Sequence, residues 1–265
     1  MQIKSVFPGA LVCLAVFVMP SLAADNAPVL EELLVTAQKR TQSLQDVPLA
    51  ITAMTAQMMA DQNIFDVLDL QRQVPSLSII EGYNRANGVP VVIRGMGTIG
   101  AQPAFEGSVG SYVDGVYRAR PGMVLSSMLD IDRVEVLRGP QGTLFGKNTT
   151  AGALTMTSVA PSDEFGYGGE LTLGDYDRRR FSGYVTGALG ESVAARLALL
   201  HDERDGFTEA LLEHDDYGDL DTDAAKLSLT WRAADTLDVT LITDYADSDE
   251  VCCFGNPVPH NRAMS

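Results

Sequence analysis

One stretch constrains the fold more than any other: Ile131 to Gly152, IDRVEVLRGPQGTLFGKNTTAG. It opens as a short strand, VEVL (134–137), and then breaks into a glycine-rich run in which Pro140 sets a bend. Arg138 and Lys147 lie in that run. The pattern predicts a strand entering a tightly folded, polar, loop-rich core. It is not a nucleotide cradle. A phosphate loop of the G-x-x-x-x-G-K-[ST] type needs Ser or Thr after the Lys, whereas Gly146-Lys147 is followed by Asn148, and Gln141 stands where the first Gly belongs.

The segment EVLRGPQGTLFGKNTTAGAL (135–154) resembles the plug-domain signature of TonB-dependent outer-membrane receptors. Three further pieces agree. LEELLVTAQKR (30–40) resembles the TonB box, VVIRGMGT (91–98) the IRG strand of the plug, and VGSYVDGVYRARPG (109–122) the segment preceding the signature. The four occur in the family's order. In one respect the chain departs: Thr155 stands where the family usually carries Asn. The resemblance implies an α+β plug, a small mixed sheet with short helices, over residues 45–160. It also implies that residues 166–265 are the first antiparallel strands of an outer-membrane β-barrel of about 22 strands, incomplete here. Glu32, Leu33, Leu34, Val35, Thr36 and Ala37 would pair with TonB as an added strand, held mainly by backbone hydrogen bonds.

Residues 1–23 read as a secretory signal. Lys4 supplies the basic start, Leu11 to Met19 the apolar run, and Ser21-Leu22-Ala23 the cleavage site. The apolar run is too short to span a bilayer, and no Cys follows the cleavage site, so neither a membrane helix nor a lipoprotein anchor is expected. The short linker before residue 30 leaves no room for an added periplasmic signalling domain. Net charge is −16 for the chain and −17 once Lys4 is removed, which argues against nucleic-acid binding. Cys13 falls in the signal, leaving the adjacent pair Cys252–Cys253, which is poorly placed to bridge itself. Neither a disulfide framework nor a metal centre nor any cofactor is expected.

Between 45 and 82 the pattern is mixed. It predicts a strand over Val47–Thr52, a helix over Thr55–Asn63 capped by Thr55, a second helix over Asp66–Gln73 stopped before Pro75, and a strand over Leu77–Ile80. Gly95-Met96-Gly97-Thr98-Ile99-Gly100 matches G-x-G-x-x-G after the strand VVI, with Asp114 at about the spacing of a ribose-binding acid. No helix pattern follows these glycines and the chain is exported, so an exported dinucleotide enzyme is the weakest of three readings. By the resemblance, residues 101–108 belong to an outward plug loop, with Phe105 and Glu106 the candidate ligand contacts. Ser111–Tyr117 reads as a strand-turn element around Asp114-Gly115, and Val134–Leu137 and Ala153–Val159 complete the sheet. Arg94, Glu135 and Arg138 sit in or beside apolar strands. A buried charge must be paired, and the resemblance assigns these three to pairing between plug and barrel wall.

After the linker 161–166 the period changes to two. Alternation predicts strands over Tyr167–Gly174, Arg179–Leu189, Val193–Glu203, Lys226–Arg232 and Leu237–Tyr245. Such strands fit an outer-membrane barrel and equally a soluble sandwich. The connections favour the barrel: 190–192 and 233–236 are short, and 205–221 is long, as periplasmic turns and outside loops are. Between Asp202 and Asp223 there are ten Asp or Glu and one Arg. Asp219-x-Asp221-x-Asp223 opens like a calcium loop, but Ala224 replaces the required Gly and Thr230 the bidentate Glu, so a solvated acidic loop is expected. Cys252, Cys253 and His260 would fall in the next outside loop, too few ligands for a metal centre.

Five strands cannot close a barrel, and open edges in lipid leave backbone groups unpaired at several kcal/mol each. The sequence is therefore expected to be an N-terminal portion. The first reading is a receptor for active uptake of a scarce ligand. Its partners would be TonB, outer-membrane lipid and a small molecule such as a metal chelate, the iron–siderophore class first. The second is a plug-like TonB-binding module without transport. No catalytic residue is expected in either.

Overall fold

The computed structural model describes residues 34–35, 42–80, 90–98, 106–119, 128–208 and 217–250. Two five-stranded sheets carry them. The first contains β3 (Ala50–Thr55), β6 (Val109–Val113), β7 (Val116–Arg118), β8 (Ile131–Arg138) and β9 (Gly152–Ser158), in the spatial order β3-β8-β9-β6-β7. Only β6 and β9 run parallel; the other neighbours are antiparallel. Two small pairs flank it: β1 (Leu34–Val35) with β2 (Gln42–Ser43), and β4 (Leu77–Ile79) with β5 (Val91–Ile93).

Sequence chemistry sets the local pieces. Thr55 is extended, and its Oγ1 accepts from the Met58 N–H at 3.3 Å, starting helix α1 (Ala56–Asp61). Residues 66–73 tighten into a 3-10 turn, Leu68–Arg72, rather than an α-helix. The cause is the Asp66/Asp69 pair, whose carboxylates take each other's backbone N–H groups and that of Phe65. Asp114 and Gly115, at φ 50° and 79°, make the turn between β6 and β7, as the Asp-Gly pair predicts. The glycine-rich run folds back through a short helix α2 (Gly142–Phe145), which the loop reading did not anticipate. Two of its glycines are structurally required. Gly139 has φ 102°, and a Cβ on Gly152 would lie 2.3 Å from the Leu137 carbonyl oxygen.

The first sheet is buried on both faces. One face packs Val134, Val136, Leu154 and Met156 against Met59 of α1, Leu70 of the 3-10 turn, and Ile79 and Ile93 of the β4/β5 pair. The other packs Leu137, Ala153 and Tyr112 against Val35 and Val47. Burying each large side chain stabilises by about 1.5–3 kcal/mol.

The second sheet is a meander, in chain order: β10 (Gly166–Gly174), β11 (Arg178–Ala188), β12 (Val193–Arg204), β13 (Leu220–Ala234) and β14 (Leu237–Ser248). Four of its strands fall close to the alternation. β13 begins six residues earlier than read, because Asp221 and Asp223 are extended residues on an exposed rim and not part of the loop. β3, by contrast, begins three residues later than read, at Ala50 beyond Pro48, and runs to Thr55. The outer face carries rows such as Val185–Leu197–Leu227, all at least 40 % exposed, with Trp231, Leu241 and Tyr245. The inner face carries Arg180, Thr186, Arg196, Asp202, Lys226 and Ser228, all buried. A sandwich in water would show the opposite order. Among the described residues no helix is long and apolar enough to cross a membrane, and this says nothing of strands.

Candidate functional site: the N-terminal strand and the seam between the sheets

Two places carry function-bearing geometry: the strand at the start of the described chain, and the seam where the first sheet meets the inner face of the second.

At the first, Leu34 pairs with Ser43 and Val35 with Gln42 in an antiparallel ladder. The Val35 side chain is fully buried beside Val47, Tyr112, Leu137 and Ala153. The described part of the box therefore has a strand partner within its own chain. Glu32, Leu33, Thr36 and Ala37 lie outside the described residues, as does Phe105.

Glu106 is exposed and fully engaged. Its carboxylate accepts from Lys147 Nζ at 2.7 Å and from Asn148 Nδ2 at 2.9 Å, and Asn148 Nδ2 also reaches the Tyr117 hydroxyl. The Lys147 hydrogen bond, with help from Asn148, holds the Glu106 pKa below the ordinary Glu range. The same bond raises that of Lys147. Two cues read separately in the sequence, the 101–108 loop and the cationic glycine-rich run, thus meet at one ion pair.

The three charges assigned to plug–wall pairing sit as follows. Arg94 is exposed at φ 53° and, with Gly95, forms the tight turn that lets Met96 bridge back to Ile93. Glu135 is 1 % exposed; Arg133 Nε lies 3.3 Å from it, and Thr155 Oγ1 donates to it at 3.4 Å. Thr155, the residue that departs from the family pattern, thus supplies a hydrogen bond. Arg138 Nε donates to the Ala50 carbonyl at 3.4 Å.

The pairs that cross the seam among the described residues are others. Arg196 grips Asp130 with two hydrogen bonds of 2.7 and 2.6 Å, both side chains less than a tenth exposed. This is the fork geometry in which Arg binds carboxylate best. Lys226 Nζ donates to the Leu129 carbonyl at 2.6 Å and to Ser158 Oγ at 2.8 Å. Ser158 in turn donates through its N–H and hydroxyl to Asp114. Arg118 Nη2 donates to Asp244 at 3.1 Å. Below them Arg232 forks Asp163, holding that carboxyl below the usual Asp range. Leu129 seals the centre against Ala198, Leu200 and Ala224. The only sequence cue to these residues was a cation at a polar position of an alternating strand, which names the face but not the partner.

Two weaker readings end here. Asp114 caps the end of β9 instead of reaching toward residues 94–98, which form a turn and a bridge; Ile99 and Gly100 of the glycine pattern lie outside the described residues. Asp221 and Asp223 lie on extended β13, with His201 Nδ1 2.9 Å from Asp223, and not on a calcium loop. Their ligand atoms approach within 4.8 Å of one another on an exposed rim.

Residues 43–153 match the TonB-dependent Receptor Plug Domain. The chain is 24 % identical over 183 residues to the catecholate siderophore receptor Fiu of Escherichia coli K12, covering 68 % of this chain and 23 % of that one. It is 31 % identical over 137 residues to a hemin receptor of Yersinia pestis, covering 50 % and 19 %. In structure it resembles the ferric yersiniabactin uptake receptor FyuA of Yersinia pestis, with a TM-score of 0.65 at 23 % identity over 75 % of this chain and 31 % of that one. It also resembles the outer-membrane ferripyoverdine receptor of Pseudomonas aeruginosa, with a TM-score of 0.67 at 23 % identity over 82 % and 27 %. The chain thus spans less than a third of the length of each of these relatives. Residues 43–153 are a TonB-dependent receptor plug domain, and the antiparallel strands that follow have the fold of the barrel strands of these solved receptors, incomplete here.

Proposed function

We propose that the chain serves TonB-dependent uptake of a scarce ligand across the outer membrane, the iron–siderophore class first. One observation carries this reading: a plug is docked by charge-assisted bonds on the polar face of a sheet whose other face is apolar and exposed. In lipid that sheet is the right way out, and in a closed barrel the plug on its polar face would lie in the lumen. The names of the relatives, siderophore and hemin receptors, favour an iron-bearing ligand.

No covalent chemistry is needed. TonB would add a strand to residues 32–37, of which Leu34 and Val35 now pair with β2. Engagement therefore requires that Val35 leave its apolar site, and pulling on it disturbs the cluster that includes Tyr112 and Leu137. Ligand contact is assigned to the outward plug loop, with Phe105 and Glu106 the first candidates. Glu106 must then exchange Lys147 for the ligand. Arg94, Glu135 and Arg138 remain candidates for pairing with wall strands beyond these five.

The test is uptake of radioiron-loaded siderophores by cells expressing the receptor, with and without TonB, beside a Val35→Pro variant. TonB-dependent uptake abolished by Val35→Pro is expected, because Pro removes a ladder donor and a buried side chain. TonB capture without uptake of any ligand would replace this reading with the plug-like binding module.

A further inference from the structure

The seam holds a cavity that the plug–wall pairing does not use. It has a volume of about 160 Å³ and lies between α1 and the inner face of β10 and β11. Met59, Ile64 and Phe65 give it an apolar floor, and Arg180 and Ser182 line the facing wall. It is the size of a cavity that holds one benzene ring.

Arg180 is the unusual member. Its side chain is 9 % exposed, and its Nε makes no hydrogen bond. Asp202 lies 3.4 Å from that Nε, within ion-pair range, but both its oxygens already accept from Arg178 at 3.1 and 2.8 Å. Arg180 Nη1 donates to Ser182 Oγ over a long 3.5 Å. Arg178 and Arg180 both lie over the Phe65 ring, at 5.1 and 4.9 Å from its centroid, which fixes the second guanidinium against the cavity. A guanidinium has five donors, and a buried one left without a hydrogen-bond partner, as Nε is here, is costly.

The other charges lining the cavity are acidic. Asp130 is consumed by Arg196, and exposed Glu170 disfavours a second negative charge.

We infer that this cavity binds a small monocarboxylate whose apolar body is about one aromatic ring, the carboxylate lying on Arg180 and Ser182 and the body on Met59, Ile64 and Phe65. The proposal goes beyond uptake and does not depend on it, since binding is read on the purified chain.

The test titrates benzoate calorimetrically into the full chain in detergent, with benzyl alcohol as the uncharged counterpart. Saturable benzoate binding, with benzyl alcohol at least about tenfold weaker, is expected. Arg180→Gln should bring benzoate down to the level of benzyl alcohol. Ala60→Leu, which fills the cavity from α1 and leaves the Arg180–Asp202 pair intact, should abolish both. Glu170→Gln should tighten benzoate several-fold, which a purely structural role for these residues would not produce. Arg179→Gln, on the outer face, should change nothing. Equal binding of the two probes, benzoate binding indifferent to Arg180→Gln and Ala60→Leu, or no saturation at millimolar benzoate would overturn the assignment.

Discussion

The two five-stranded sheets obey opposite burial rules. In the first, Leu137, Leu154 and Met156 are at most 2 % exposed and the charged groups, Glu135 apart, lie toward the margins. In the second, Leu171, Leu241 and Tyr245 are more than half exposed, while Arg196, Asp202 and Lys226 are buried. Alternation alone cannot tell these cases apart, since it says that one face is apolar and not which face meets water. What decides is the polar face. Arg196 and Lys226 each find partners where the first sheet's β8 begins and β9 ends, so that face is an interface and the apolar face must meet another solvent.

The largest effect expected from this contrast lies at the seam. Arg196→Met leaves Asp130 buried and unpaired, at a cost of about 3–5 kcal/mol to the docked state. Asp130→Asn with Arg196→Met should recover much of it, because Asn carries no charge and tolerates the left-handed backbone of residue 130, at φ 57°. Urea unfolding of the unaltered chain and the two variants, followed through tertiary-structure signals of the plug, measures both. If the double variant is as unstable as the single one, the pair is not what holds the sheets together.

Next come the apolar faces themselves. Leu154→Ala in the first sheet opens a cavity and should cost about 2–5 kcal/mol. Leu241→Ala on the second should cost far less, because that side chain is already outside. Leu241→Arg is the sharper probe, at about 2–4 kcal/mol where the strand crosses mid-bilayer. The comparison requires this penalty in reversible folding into lipid vesicles and its absence for Asp244→Asn on the inner face of the same strand. An equal response of the two positions would mean that the second sheet does not face lipid.

Much of this was legible in the residues, and the misses share a cause. Thr55 before α1, Asp114-Gly115 between β6 and β7, and the alternation of β10, β11, β12 and β14 are local signals written within a few residues. The early start of β13 was hidden because Asp221 and Asp223 look like loop residues until one knows that their face is a polar rim. The 3-10 turn at Leu68–Arg72 depends on which N–H groups the Asp66 and Asp69 carboxylates choose. The seam pairs join residues 66 and 97 positions apart, and sequence spacing does not say which cation meets which acceptor. Arg138 shows the limit from the other side. Its position flagged a buried cation, yet among the described residues it caps the Ala50 carbonyl beside it.

The smallest effect belongs to Glu106 and Lys147, which tie the 101–108 loop to the glycine-rich run at the surface. Glu106 is held below its ordinary pKa, so its contribution is complete above the unfolded-state Glu range and is lost as pH falls through the lowered value. Lys147 is raised, so its share is complete below the unfolded-state Lys value and is lost as pH climbs through the raised one. The tie is thus firm across neutral pH and loosens at both ends, weakly, because both groups face water. In Lys147→Met the Glu106 titration, followed by carboxyl-carbon NMR, should shift upward yet stay low of an ordinary Glu, since Asn148 still donates. A midpoint that does not move would mean that Lys147 is not the main anchor of that carboxylate. The loop and the glycine-rich run would then be joined through Asn148 and Tyr117 instead.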